Sequence, residues 1–183
     1  CINKIGIGFL YAPLLHSAMK FAIGPRRQIG IRTIFNILGP LTNPAGANVQ
    51  VLGVYSPDLT ETVAFVLKNL GSKRAFVVCG KDGMDEITIT DRTKISELDK
   101  GKVKTYYVAP EDFGVKKARL EDLEGAGPKE NAEIVLAILK GERSSRRDVV
   151  LANASVSLVC VGKAEDFKSG FTLAAESVDS GRA

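Results

Sequence analysis

Two apolar runs separated by a helix-length segment limit what this chain can fold into. Residues 49–55 (VQVLGVY) and 74–79 (RAFVVC) are rich in β-branched and aromatic residues, so each reads as a buried strand. Between them, Pro57 and Asp58 supply a helix start and Leu70-Gly71 a stop. Proline already has the φ of a first helical turn, aspartate can accept the free amides there, and glycine takes the left-handed conformation that ends a helix. A helix of about a dozen residues carries the chain back to the end of the sheet where it began, which two neighbouring parallel strands require. The expectation is an α/β fold with a central, mainly parallel sheet flanked by helices.

The rest of the chain supplies further elements. Residues 87–90 (ITIT) and 102–108 (KVKTYYV) alternate and read as shorter, half-exposed strands. Residues 128–139 read as a helix with an apolar face at Ala132, Val135, Leu136 and Leu139. Residues 147–161 are apolar almost all round and studded with small residues, so that helix is expected to be deeply buried. A third helix is expected over 165–178. Near the start, Phe9, Leu10, Leu14, Leu15 and Met19 suit a helix beginning at Ala12-Pro13, and 26–43 reads as a helix or turn giving way to a loop. A length of 183 residues fits a single α/β domain, 1–183. The chain opens on Cys1 inside an apolar segment and stops at Ala183 directly after a helical pattern, so it is expected to be truncated at both ends.

Composition narrows the function. Cys1, Cys79 and Cys160 are odd in number, far apart and form no C-x-x-C pair, which points to a reduced, cytoplasmic protein rather than a disulfide or zinc framework. One histidine excludes a His-rich metal site. There is no apolar run of membrane-spanning length and no signal-peptide pattern. The net charge of +4 is spread over mixed signs; it suits a mildly basic surface or an attraction for phosphates and carboxylates. Nucleic-acid binding would call for basic runs with interleaved aromatics, which are missing. G-x-G-x-x-G, Walker and G-x-S-x-G patterns are absent as well.

Four segments could carry chemistry. Arg26 and Arg27 follow Pro25; an arginine fork matches a carboxylate or phosphate, although paired arginines are more often a solvated face. His16, alone among apolar neighbours, is more often a packing residue than a catalyst. Gly39 and Pro40 form a side-chain-poor turn that a ligand could approach closely, or a plain loop. Asp85 and Glu86, in Gly83-Met84-Asp85-Glu86, follow the strand ending near Cys79, where α/β sheets place their ligands. Adjacent carboxylates suit Mg²⁺ that also holds phosphates, or they are turn acids on the surface. Cys79 ends an apolar strand and reads as packing.

The order of these pieces resembles the anthranilate phosphoribosyltransferases of tryptophan biosynthesis. The matching stretches are residues 9–45 (FLYAPLLHSAMKFAIGPRRQIGIRTIFNILGPLTNPA), 52–59 (LGVYSPDL), 76–88 (FVVCGKDGMDEIT) and 109–115 (APEDFGV), with 130–139 (ENAEIVLAIL) and 149–155 (VVLANAS). The resemblance implies a glycosyltransferase that moves the phosphoribosyl group of phosphoribosyl pyrophosphate to the amine of anthranilate. It places Arg26 at the anthranilate carboxylate, His16 and Met19 along the anthranilate channel, and Gly39 and Pro40 as a backbone wall beside it. It makes Asp85 and Glu86 the ligands of Mg²⁺ on the pyrophosphate. No residue is expected to act as a catalytic base, because the aromatic amine is already nucleophilic; orientation of the acceptor does that work.

Two positions depart from the family's pattern: Ser17 stands where proline is common and Cys79 where histidine is usual. The family's glycine-rich pyrophosphate loop and the small helical domain with its homodimer contacts would lie before Cys1, so this chain alone is expected to be inactive. Two alternatives remain beside this one, a non-catalytic nucleic-acid-binding relative and a pyrimidine nucleoside phosphorylase of the same fold. Intact Arg26 and Asp85-Glu86 count against the first, and the block over 26–44 against the second.

Overall fold

The computed structural model describes residues 2–10, 24, 28, 35–42 and 45–183. The chain divides into two compact units, Cys1–Ala47 and Asn48–Ala183. In the first, the described residues include the helices α1 (Ile2–Ile5) and α2 (Phe35–Leu41). Gly39 and Pro40 therefore lie in helix rather than in a turn. Pro40 lies one residue before the end of α2, and past it the Thr42 amide donates to the Leu38 carbonyl at 3.0 Å. A Cβ added to Gly39 would meet nothing within 4 Å. The helix expected from Ala12-Pro13 lies outside the described residues.

The second unit holds four strands in the order β1-β2-β3-β4: Val49–Gly53, Arg74–Gly80, Thr93–Asp99 and Lys102–Val108. β1 and β2 are parallel neighbours, Val49 opposite Arg74 and Gly53 opposite Val78, joined by α3 (Leu59–Asn69). This is the unit read from the two apolar runs. Leu70 caps α3, and Gly71 follows at φ +86°, in the left-handed region.

The expected mainly parallel sheet is not what the described strands form. β2–β3 and β3–β4 pair antiparallel, so the sheet is mixed. The connections explain the difference. Residues 81–92 contain turns and no helix, and β3 reaches β4 through Lys100 and Gly101, both at positive φ (48° and 75°). The two-residue link can only reverse the chain, since a parallel return needs a crossover of a dozen residues or more, and residues 81–92, though twelve long, are taken up by turns and hold no crossover helix.

Helices cover both faces. From α3, Val63, Ala64 and Leu67 are buried against β2 and β3, and Ser96 of β3 donates to the Thr60 hydroxyl at 3.0 Å. Alternation along β2 then sends Phe76 and Val78 to the opposite face. There they join Ile95 and Val108 in one cluster with Ala152, Val156, Val159 and Cys160 of α5 (Ser145–Cys160). Each large side chain buried this way contributes roughly 1.5–3 kcal/mol. α6 (Phe167–Asp179) lies on the outer side of α5 through Ala174 and Val178.

Three local expectations change. Residues 87–90 are buried but unpaired in any strand. α5 buries one face, whereas Val150 and Val161 beside its end stay exposed. In α4 (Pro128–Leu139) the expected inward face is outward: Val135, Leu136 and Leu139 are exposed and Ile138 is the buried residue. The helix carries two apolar stripes, and the one holding Ile138 is turned inward. No helix among the described residues is long and apolar enough to cross a membrane.

Candidate functional site

The second unit places its acidic residues in a turn at the carboxyl ends of β1 and β2. β2 closes at Gly80, whose amide donates to the Met84 carbonyl at 2.8 Å, and the Gly83 amide donates back to the Gly80 carbonyl at 3.1 Å. Gly83 has φ +94°, a conformation that side chains rarely adopt. The turn is held from inside by Asp82. Its carboxylate accepts the Thr88 and Thr90 hydroxyls and, at 3.1 Å, the Met84 amide. The Thr88 amide in turn donates to Thr93 Oγ1 at 3.0 Å. The threonines of the ITIT segment thus serve a half-buried carboxylate instead of a strand ladder.

Two glycines let the turn settle on the strand ends. A Cβ on Gly80 would lie 2.3 Å from Asp82 Oδ1, and one on Gly53 would lie 1.6 Å from the Asp85 carbonyl oxygen. Both distances are inside van der Waals contact, so the turn occupies space that any other residue would fill.

Asp85 is exposed and Glu86 half-buried. Asn153, midway along α5, reaches the turn from below. Its Oδ1 accepts the Ile87 amide at 3.0 Å. Its Nδ2 donates to Glu86 Oε2 at 3.1 Å and to the carbonyls of Ile87 and Val149, each at 2.9 Å. With one donor and three acceptors around it, only this orientation sets the oxygen on the donor and shares the two N–H bonds among the acceptors.

The electrostatics follow from that geometry. Burial raises the Glu86 carboxyl above its ordinary pKa, and the negative charges of Asp85 and Asp82 raise it further. For Asp82 burial pushes the same way, but the Thr88 and Thr90 hydroxyls and the Met84 amide outweigh it and hold the carboxyl below its usual range. The Cys79 thiol is pushed up by burial and by Asp82 and Asp85. Its sulfur donates to the adjacent Gly80 carbonyl at 3.6 Å and the side chain is 1% exposed, in keeping with a packing role.

Among the described residues, Asp85 and Glu86 take part in no ion pair, and no group of three or more His, Cys, Asp or Glu side chains converges on a point. Asp82 is spent on the turn, so two neighbouring carboxylates are left as donors. That set does not enclose a metal by itself. It suits a hard cation that keeps several waters and completes its shell with substrate phosphates, as Mg²⁺ does.

Of the residues singled out from the sequence, Asp85 and Glu86 meet in this turn. Gly39 and Pro40 belong to α2 in the other unit, and Arg26, His16 and Met19 lie outside the described residues. Sequence reasoning missed Asp82, Asn153 and Gly53. An asparagine in a helix otherwise made for burial was the available signal, since a poor helix former kept there needs polar partners.

The profile of the glycosyl transferase family, α/β domain, matches residues 1–183. The chain belongs to this family. Among curated relatives it is 58% identical over 183 residues to the anthranilate phosphoribosyltransferase of Geotalea uraniireducens, covering 100% of this chain and 52% of that protein. To the Moorella thermoacetica enzyme of the same name it is 56% identical, covering 54% of that protein. The chain thus spans about half the length of the curated relatives it matches. Among solved structures it superposes on anthranilate phosphoribosyltransferase from Thermus thermophilus with a TM-score of 0.90 at 42% identity, over 98% of this chain and 53% of that one. The Saccharomyces cerevisiae enzyme in complex with PRPP and Mg gives a TM-score of 0.85 at 33% identity, over 94% and 50%. This family domain therefore carries the likeness read from the FNILGPLTNP and GMDE blocks through its whole length.

Proposed function

We propose that the protein carrying this chain is a pentosyltransferase that moves the phosphoribosyl group of phosphoribosyl pyrophosphate to anthranilate and releases pyrophosphate, a step of tryptophan biosynthesis. The observation that carries this is the pair Asp85-Glu86 on a turn built for it, in a chain 58% identical throughout to an enzyme of that name. The match over residues 1–183 also supports reading the chain as one α/β domain.

Each residue has a role in this scheme. Asp85 and Glu86 would hold Mg²⁺, which when bound neutralises the charge that gathers on the departing pyrophosphate. Asp82, Thr88 and Thr90 keep the turn in place so that neither carboxylate must reorganise. Arg26 would pair with the anthranilate carboxylate, with His16 and Met19 along its channel and Gly39 and Pro40 as a wall, so that the amine faces the ribose carbon. The amine attacks without a protein base. A homodimeric whole enzyme belongs to the same proposal through its likeness to the family. A cytoplasmic location is supported by Cys79 and Cys160, both free and buried.

Neither a nucleic-acid-binding role nor nucleoside phosphorolysis is favoured by the relatives found. Steady-state assay of the whole enzyme with anthranilate, phosphoribosyl pyrophosphate and varied Mg²⁺ tests the proposal. Product should form, and D85N/E86Q should demand more Mg²⁺ and lower kcat. Absence of phosphoribosyl-anthranilate with the intact enzyme would refute the activity.

A further inference from the structure

Asn153 is not accounted for by packing. It sits on α5, a different element from the turn, and its amide has four partners at hydrogen-bond distance, three of them on residues 86 and 87, its two N–H bonds being shared among three acceptors. The bonds to the Ile87 amide and carbonyl fix the main chain on both sides of that residue. The bond to Glu86 Oε2 fixes one carboxylate oxygen and leaves Oε1 for another partner. The Val149 carbonyl, one helical turn before Asn153, accepts from the same nitrogen and holds the side chain to its own helix.

We propose that Asn153 is a positioning residue for the metal, setting the rotamer of Glu86 through one carboxylate oxygen so that the other is left for the ion. This rests on the assignment of Asp85 and Glu86 as metal ligands. Without Asn153, Glu86 is a carboxylate with several rotatable bonds next to two like charges, Asp85 and Asp82, and it would swing away from them. Holding it costs rotamer entropy in every metal-free molecule. α5 meets that cost in advance, so the ion meets a Glu86 carboxylate already held in place. A neutral carboxamide suits this role, because it donates to the carboxylate without supplying a cation that would compete with the metal.

The test uses the whole enzyme and Mn²⁺ in place of Mg²⁺, its binding followed by electron paramagnetic resonance in the presence of inorganic pyrophosphate. Asn153→Ala should weaken Mn²⁺ roughly 10- to 100-fold, as loss of a partner that orients a metal ligand usually does. In the Glu86→Gln background the same change should add little, because the residue it acts through is already lost. In assays the KM for the metal-bound donor should rise while the KM for anthranilate stays put. Equal weakening by Asn153→Ala in both backgrounds would show a merely structural role and overturn the proposal. Should Asn153→Ala fail to fold, the unsubstituted enzyme still decides: the Asn153 side-chain amide resonance should shift with Mg²⁺ plus pyrophosphate and not with pyrophosphate alone, and no shift refutes the role. If Glu86→Gln and Asp85→Asn leave Mn²⁺ binding unchanged, the metal assignment itself fails and this proposal falls with it. Unchanged binding in Asn153→Ala beside weakened binding in Glu86→Gln removes the positioning role alone.

Discussion

The carbonyl oxygen of Asp85 lies 1.6 Å from where a Cβ would stand on Gly53. A β1 residue and the acidic turn thus share one volume, and only glycine makes room. Gly53→Ala must push main chain aside, because the obstacle is a backbone carbonyl with no rotamer to yield. The expected result is a loss of about 1–3 kcal/mol, as for other overpacked sites, together with a higher Mg²⁺ requirement. Urea unfolding and a Mg²⁺ titration of the same variant check both halves. A stable variant with unaltered Mg²⁺ dependence would mean the turn does not depend on this contact.

Arg147 and Asp179 join the start of α5 to the end of α6. The pair is 2.7 Å apart, and the arginine side chain is 3% exposed against 40% for the aspartate. Arg143 reaches the other oxygen of Asp179 at 3.4 Å but is 78% exposed. Asp179→Ala strands a buried guanidinium whose Nε already lacks a partner among the described residues, so it should cost about 2–3 kcal/mol, below the full buried-pair figure because Asp179 is half in water. Arg143→Ala should cost under about 1 kcal/mol. Denaturant midpoints of the two variants should differ clearly; equal losses would contradict the assignment.

Cys160 makes the alkaline limb of stability predictable. Burial in the cluster under β2 pushes its thiol up to about 11, despite the opposing pull of Arg74. A folded pKa above the unfolded one adds stability while the thiol is protonated in both states. That contribution should fade as pH rises above about 9 and be gone beyond about 11. Cys160→Ala should therefore show a shallower loss of stability across that interval. Unfolding free energies measured at several pH values on both proteins decide it, and parallel curves would count against a buried protonated thiol.

How much of this was legible varies with the physical signal. The β1–α3–β2 unit could be read because apolar runs, Pro57-Asp58 and Gly71 are all local cues. β3 could not, since Lys94, Glu97 and Asp99 interrupt its apolar residues and it is a strand through its pairing with β2 and β4. The hairpin that makes the sheet mixed had a cue in Lys100-Gly101, overlooked because asparagine-glycine or aspartate-glycine is the usual sign of such a turn. ITIT has strand propensity, but Asp82 claims both of its threonine hydroxyls from across the turn. Asp85 and Glu86 were visible as a motif. Asn153 was not, because its partners lie more than sixty residues earlier in the chain.

Charge separates donor from acceptor within the proposed reaction. Asp85 and Glu86 carry negative charge and can serve only a cation, and through it the pyrophosphate. Arg26 carries positive charge and suits the anthranilate carboxylate. Replacing Arg26 by Ala should then raise the KM for anthranilate roughly 10- to 100-fold, the equivalent of losing a charge-assisted pair worth about 1.5–3 kcal/mol. The KM for phosphoribosyl pyrophosphate should change little. D85N/E86Q should do the reverse, altering the Mg²⁺ and donor dependence while sparing the acceptor. Titrating each substrate separately against both variants of the whole enzyme gives four constants. If Arg26→Ala leaves the anthranilate KM where it was, Arg26 is one more solvated surface arginine and the acceptor's carboxylate is held elsewhere.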